Sequence, residues 1–411
     1  MWRAAGGADS HGWAPREIYQ LNPSTTMDID FDASAFLEQQ RDAAPAELQP
    51  VFFQLEDLYD RKLWHQLTDA LIILFNNPQS APLRMPLFRE FVGSFQGKIN
   101  QLKLVSLGLS AASQCQEYSE ALQFLSDITE KVDTPSTQDA FVYATVETAR
   151  MKLLLGQLDE SRESMDKAGK ILDSFDSVEN MIHAAYYRVN ADYYKAKAEY
   201  AAYYKNALLF LACVNVEKDL TIAEAQERAY DLSISALLGE TIYNFGELLL
   251  HHVLNSLNGT EHEWLKEVLF ALNSGDIARF EGLQGHLAKQ PLLQASLPFL
   301  RQKICLTALI EAVFKRPPHD RALAFSTIAA ETRLVHDEVE HLVMKALSLN
   351  LLKGNIDQVD QVVRVTWVQP RVLDMNQVEG MRQRLVDWAS QVKTLEGFVH
   401  KTGEDLEVWV Q

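Results

Sequence analysis

Apolar residues recur at three- and four-residue spacing through most of the chain, and the period changes once, towards the C-terminal end. Val51, Leu55, Leu58, Tyr59, Leu67, Leu71 and Leu74 fall largely on one helical face, and Asn76-Asn77-Pro78 predicts where that run stops. Leu87 to Leu109 repeats the pattern through Phe88, Phe91, Phe95, Ile99 and Leu102. Further stripes follow at Tyr118 to Val132 and Val142 to Leu153, punctuated by Asp133-Thr134-Pro135 and Gly156. Ile182 to Tyr193 then pairs with Tyr200, Tyr204, Ala207, Leu208 and Leu211. Helices of about 15 to 20 residues with short connections lie antiparallel to their neighbours. The expected body is an irregular α-solenoid of the tetratricopeptide kind. In Ala271 to Phe280, Gly275 is placed to close one helix and Asp276 to cap the next.

The change of period lies in Phe325 to Asp374. A short amphipathic helix (Phe325, Ile328, Ala329) meets a tight corner at Arg333 and Leu334. A second helix carries Val339, Leu342, Val343, Ala346 and Leu347 on one stripe, with Asp337 and Glu338 in its first turn, where negative charge suits exposed N–H groups. A turn at Lys353-Gly354-Asn355 leads to Ile356 and then to the β-rich run Val362, Val363, Val365, Thr366, Trp367, closed by Pro370. Helix, corner, helix and two-stranded ribbon is the order of a winged helix.

The tail is the most regular stretch. Val378, Met381, Leu385, Trp388, Val392, Leu395 and Val399 alternate spacings of three and four, an apolar seam of the kind that docks along another helix. The partner is either a helix of another chain or the chain's own solenoid. The expected fold is all-α with a small β ribbon, divided into an extension (1–27), N-terminal helical repeats (28–200), further helices (201–317), a winged helix (318–374) and a docking helix with its tail (375–411). Residues 1–27 show no period and are expected to be disordered, which marks Met27 as the expected start of the patterned chain. Pro317-Pro318 is expected to separate the helical stack from the winged helix.

Charge narrows the partners. The net charge of −18 opposes non-specific attraction to nucleic acid or an anionic membrane. Within residues 318–374, six Lys or Arg face eight Asp or Glu, so the second helix of the winged helix is ill suited to phosphates. No apolar run approaches the roughly 20 residues that span a bilayer, and residues 1–26 lack a signal peptide's apolar centre. Cys115, Cys213 and Cys305 have neither disulfide nor metal-ligand spacing and read as buried thiols in a reducing compartment, the cytoplasm or nucleus. The tyrosines between Tyr186 and Tyr204 read as interhelix packing, because Asp192 and Glu199 dilute the positive charge that a base-stacking platform needs.

Catalytic and cofactor motifs are missing. His336 and His341 are five apart, wrong for a zinc-binding HExxH, and the adjacent His251 and His252 diverge from a helix. The chain contains no GxxxxGK[ST], GxGxxG or GxSxG. No catalytic, cofactor-binding or metal residue is assigned, and no enzyme activity is expected.

A helical solenoid leading into a winged helix and a terminal docking helix resembles the PCI module. LWHQLT (Leu63 to Thr68), YYKNALLFL (Tyr203 to Leu211), YNFGELLLH (Tyr243 to His251), ALNSGDIARF and the long run Val343 to Asp374 are similar to the PCI-containing non-ATPase subunits of the 26S proteasome regulatory particle lid, over roughly residues 28 to 400. The resemblance implies a non-catalytic scaffold in a hetero-oligomer supporting ubiquitin-dependent degradation, with winged helices packed edge to edge and C-terminal helices gathered in one bundle. Its contacts with other PCI-type subunits are expected at Val363, Val365 and Trp367 of the ribbon and at Val378, Met381, Leu385, Trp388, Val392, Leu395 and Val399 of the tail. The alternatives are the equivalent position in the COP9 signalosome or in translation initiation factor 3, or a free-standing adaptor.

Overall fold

The computed structural model describes residues 33–175, 178–316, 320–372 and 375–409; the expected extension at 1–27 and the Pro317-Pro318 boundary lie outside them. The chain forms two compact units, Met1–Gln116 and Glu117–Gln411.

In the first unit, α1 (Ala33–Ala43), α2 (Gln49–Asp60) and α3 (Trp64–Asn76) precede a run of short helical turns, and α4 (Gln101–Ala112) closes it. The single face expected from Val51 to Leu74 is split between α2 and α3, because Lys62 takes a left-handed conformation (φ 56°). The helix expected from Leu87 to Leu109 is also two pieces. A π-helical turn at Leu87–Val92 is followed by extended backbone at Ile99 and Asn100. The Asn100 side chain then accepts from the N–H groups of Leu102 and Lys103 and starts α4 afresh. Tyr59, Trp64, Phe91 and Phe95 form an aromatic cluster that holds the irregular turns.

The second unit opens with α5 (Tyr118–Val132), α6 (Gln138–Leu154), α7 (Leu158–Leu172), α8 (Asn180–Ala196), α9 (Tyr200–Cys213) and α10 (Ile222–Leu238). Helices α5 and α6, α6 and α7, and α8 and α9 pack as hairpins, and α8 lies mainly against α6 rather than α7. The tyrosine-rich faces of α8 and α9 meet there, with Tyr193, Tyr203 and Tyr204 buried. Next come α11 (Glu263–Ser274), α12 (Ile277–Leu287) and α13 (Leu297–Phe314). Gly275 ends α11 with φ 67°, and a Cβ on it would lie 2.6 Å from Ala308 Cα; Asp276 accepts from the Arg279 N–H and caps α12.

Helix α13 serves two cores. Leu300 and Ile304 belong to the solenoid cluster, whereas Leu306, Leu309, Ile310 and Val313 belong to the cluster of the winged helix. The winged helix comprises β1 (Ala322–Ala324), α14 (Phe325–Thr332), α15 (His336–Ser348), β2 (Leu352–Asp357) and β3 (Val362–Val368). Arg333 makes the corner with φ 52°. The expected two-stranded ribbon gains a third strand, in the antiparallel order β1-β3-β2. The expected turn at Lys353-Gly354-Asn355 is instead a bulge within β2, where a Cβ on Gly354 would collide with the Arg364 carbonyl. The chain reverses later, at residues 358–361. The last element is α16 (Met375–Trp409), a single helix of 35 residues.

Candidate docking surfaces

Two surfaces follow from this arrangement, and one anchor fixes where the second begins. Val363 and Val365 lie on the central strand and are 2% and 7% exposed, packed in the winged-helix core with Val339, Leu342 and Val343. Their side chains face inward, which corrects their reading as surface contacts. Alternation along β3 explains it, because the strand is flanked on both edges and one face must cover α13 and α15. Trp367 is half-buried, and Lys353 Nζ sits 5.0 Å above its ring. Among the described residues, the open hydrogen-bonding edge near these positions belongs to β2, which pairs there with β3 alone. Val359, at the tip between β2 and β3, is 94% exposed.

The first turns of α15 carry Asp337, Glu338 and Glu340, and Gln358 donates to the Glu340 carboxylate at 3.1 Å. Lys345 is the one cation of that helix. The helix that would enter a nucleic-acid groove thus presents carboxylates.

Beyond β3 the backbone is held down. Arg371 donates to Glu311 of α13 at 2.6 Å and to the carbonyl of Asn273 of α11 at 2.7 Å. Val372 lies where a Cβ on Gly246 would approach it to 2.6 Å. Helix α16 leaves from this clamp. Every described side chain from Val378 to His400 is exposed, including the seam Val378, Met381, Leu385, Trp388, Val392, Leu395 and Val399. Among the described residues, therefore, the seam does not fold back on the chain's own solenoid. Val386 and Phe398, not assigned from the heptad spacing, are exposed beside it at 48% and 67%. Phe398 follows Leu395 by three positions, which would have extended the stripe. An Arg382–Glu379 pair and a Gln383–Asp387 hydrogen bond occupy the polar faces.

A feature that sequence reasoning missed lies under these surfaces. Lys303 of α13 is 1% exposed and donates to the carbonyls of Ala236, Leu237 and Gly239 at 2.7, 3.1 and 2.8 Å, closing the C-terminus of α10. The rings of Tyr243, Phe245 and Phe299 surround its ammonium at 5.2–5.6 Å. Burial pushes its pKa from 10.5 down to about 7. Its signal was its place midway between Leu300 and Leu306, at three-residue spacing on an apolar helix.

Among the described residues no group of three His, Cys, Asp or Glu is placed to hold a metal ion, and no helix is long and apolar enough to cross a membrane. The cysteines are half-buried rather than buried, and burial pushes the thiols of Cys213 and Cys305 up, away from the reactive thiolate.

Three family profiles match in succession: PSD13 N-terminal repeats over residues 51–269, a PCI domain over 278–367 and an Rpn9 C-terminal helix over 371–403. The chain is 49% identical to the probable 26S proteasome regulatory subunit rpn9 of Schizosaccharomyces pombe, over 93% of this chain and 99% of that protein. It is 39% identical to the 26S proteasome regulatory subunit RPN9 of Saccharomyces cerevisiae, over 92% and 99%. Translation initiation factor 3 subunit M of Coccidioides immitis is 24% identical over 44% of this chain and 39% of its own length.

Proposed function

Since this chain belongs to the Rpn9/PSD13 family, whose profiles cover its repeats, PCI domain and C-terminal helix, we propose how it serves the 26S proteasome regulatory particle. It is a non-catalytic structural subunit of the lid, a hetero-oligomeric assembly acting in ubiquitin-dependent degradation in cytoplasm and nucleus. The observation that carries the reading is an apolar seam of 22 residues left in water on a helix whose base is clamped by Arg371. A seam with Leu385, Trp388 and Leu395 between 62% and 64% exposed is costly unless covered, and each of the three contributes about 1.5–3 kcal/mol on full burial. Several kcal/mol from three residues is a large part of a micromolar association of about 8 kcal/mol.

The contacts divide accordingly. The α16 seam joins a multi-helix bundle with other PCI-type subunits. The open edge of β2, with Trp367 beside it, adjoins a neighbouring winged helix by strand addition. Val363 and Val365 support that edge from inside. The carboxylates on α15 argue against nucleic acid. Coverage decides against the initiation-factor position: the proteasome relatives match nearly end to end, and subunit M over less than half of either chain.

The test is reconstitution of the lid with Leu385→Asp/Trp388→Asp. Both residues are exposed, so the variant is expected to melt like the parent and to be missing from the assembled particle by native mass spectrometry. Full incorporation of a folded double variant overturns the reading.

A further inference from the structure

One arginine of the helical stack stands without an anion. Arg188 of α8 lies among charged side chains of three helices: Glu147 and Arg150 of α6, Asp192 of α8, and Glu224 and Arg228 of α10. Each of these others is matched. Glu147 and Arg150 pair at 3.5 Å, and Arg228 reaches across to Asp192 at 2.8 Å. Glu224 accepts from the N–H and the hydroxyl of Thr221 at 3.1 and 2.8 Å and caps its own helix. Among the described residues no carboxylate stands within ion-pair distance of the Arg188 guanidinium, and no acceptor takes a hydrogen bond from it.

Arg188 is half-buried. Burial first, and the charge of Arg150 next, disfavour its cation. Glu147 and Asp192 offset part of this, but their oxygens are committed to Arg150 and Arg228. A second donor stands beside it. Tyr143, one turn before Glu147 on α6, is 9% exposed, and its hydroxyl also lacks a partner among the described residues. The charges of Glu147, Arg150 and Arg188 all act on that hydroxyl. Burial pushes its pKa up, so it stays a neutral phenol with a proton to donate. Two neighbouring donor groups, one of them charged, are therefore left without an acceptor.

We propose that this face of α6, α8 and α10 takes one Asp or Glu side chain of a partner chain, held by the Arg188 guanidinium and the Tyr143 hydroxyl. The planar fork of an arginine matches the two oxygens of a carboxylate. A single negative charge suits the place, because Glu147, Asp192 and Glu224 stand around it and would repel the second charge of a phosphate. The net charge of −18 likewise opposes a nucleic acid. Arg188 is thus a residue kept for a partner at the expense of the free chain's stability. The proposal rests on the scaffold reading for the assembly that supplies the partner.

The test compares the full chain alone and in the reconstituted lid. Phenylglyoxal, which modifies accessible guanidinium groups, is expected to label Arg188 of the free chain faster than the paired Arg150 and Arg228. In the lid that labelling should slow at least about tenfold, as a charge-assisted bond covers the group. Arg188→Met should leave the melting temperature of the free chain unchanged or raise it, since no bond within the chain is lost. Arg188→Lys places an amine there, and a carbodiimide should then join position 188 to an Asp or Glu of another lid subunit. Equal labelling of Arg188 in both states overturns the proposal, as does a melting temperature lowered by more than about two degrees in Arg188→Met. A carbodiimide link from position 188 to Glu147, Asp192 or Glu224 alone, or no link in an assembled lid, also overturns it. Failure of the unaltered chain to enter the lid would sink the scaffold reading instead, whereas entry with Arg188 still open to phenylglyoxal sinks this proposal alone.

Discussion

Arg371 and Glu311 stand sixty positions apart in sequence and meet at 2.6 Å, each side chain only 11–12% exposed. The pair joins the segment leaving the winged helix to α13, the helix that both cores share. Because Arg371 also reaches the Asn273 carbonyl, it fastens the solenoid, the winged helix and the base of α16 at one point.

Arg371→Met leaves the Glu311 carboxylate buried, with only Lys315 at 3.9 Å. The expected loss is about 3–5 kcal/mol in urea unfolding, and Arg371→Met/Glu311→Leu should recover most of it, since the removal of both charges leaves none unpaired. Equal destabilisation by the single and double variants would show that the ion pair is not the cause.

Lys303→Met removes the donor from three carbonyls at the end of α10 and is expected to cost about 3 kcal/mol. The pH dependence has a definite sign. The folded pKa of about 7 lies below the 10.5 of an ordinary lysine, so between those values the unfolded chain binds more protons. The contribution of this group to stability therefore rises with pH from about 7 towards 10.5, with a limiting slope of about 1.4 kcal/mol per unit, and is flat below that window. Denaturant unfolding across this range should show the slope in the parent chain and lose it in Lys303→Met.

At Gly275, φ of 67° and the contact with Ala308 exclude a side chain. Gly275→Ala is expected to destabilise by more than about 2 kcal/mol, since strain and a backbone clash add. A melting temperature unchanged within a degree would contradict the close approach of α11 and α13.

Truncation after Asp374 removes no described side chain that is buried, so the isolated chain should keep its melting temperature while losing entry into the lid. Early melting with normal assembly would mean that α16 packs within its own chain.

Val365→Pro acts inside the winged helix. The Val365 N–H donates to the Arg321 carbonyl at 2.9 Å, and the residue is buried on the central strand. Proline there should unfold the sheet itself, seen as loss of amide-exchange protection in β1 and β3.

Features carried by local chemistry were legible in the sequence. The αL closure at Gly275, the Asp276 cap, the corner at Arg333 and the heptad seam each rest on residues within a few positions of one another. Features set by distant partners were not. Strand β1 has three residues, too few to display a period of two, and it forms only because β3 offers an edge. Gly354 carries the same signature in a turn as in a bulge, and only the approach of Arg364 distinguishes them. Apolar spacing runs unbroken through the π-helical turn at Leu87–Val92, so the break at Asn100 was hidden. For the docking surface, the seam was visible but its surroundings were not, since exposure depends on where α16 leaves the fold, and that is decided by Arg371, Glu311 and Val372.

The open seam of α16 also has a meaning for cellular stoichiometry. A copy made in excess of its partners displays a strip of leucine, valine, phenylalanine and tryptophan about 30 Å long, at 1.5 Å per residue, from Val378 to Val399. An uncovered strip of this size favours self-association, and a partner helix lying along it would remove that liability. A copy without partners is therefore expected to be less soluble than an assembled one, so the seam ties the behaviour of the free chain to the supply of whatever covers it.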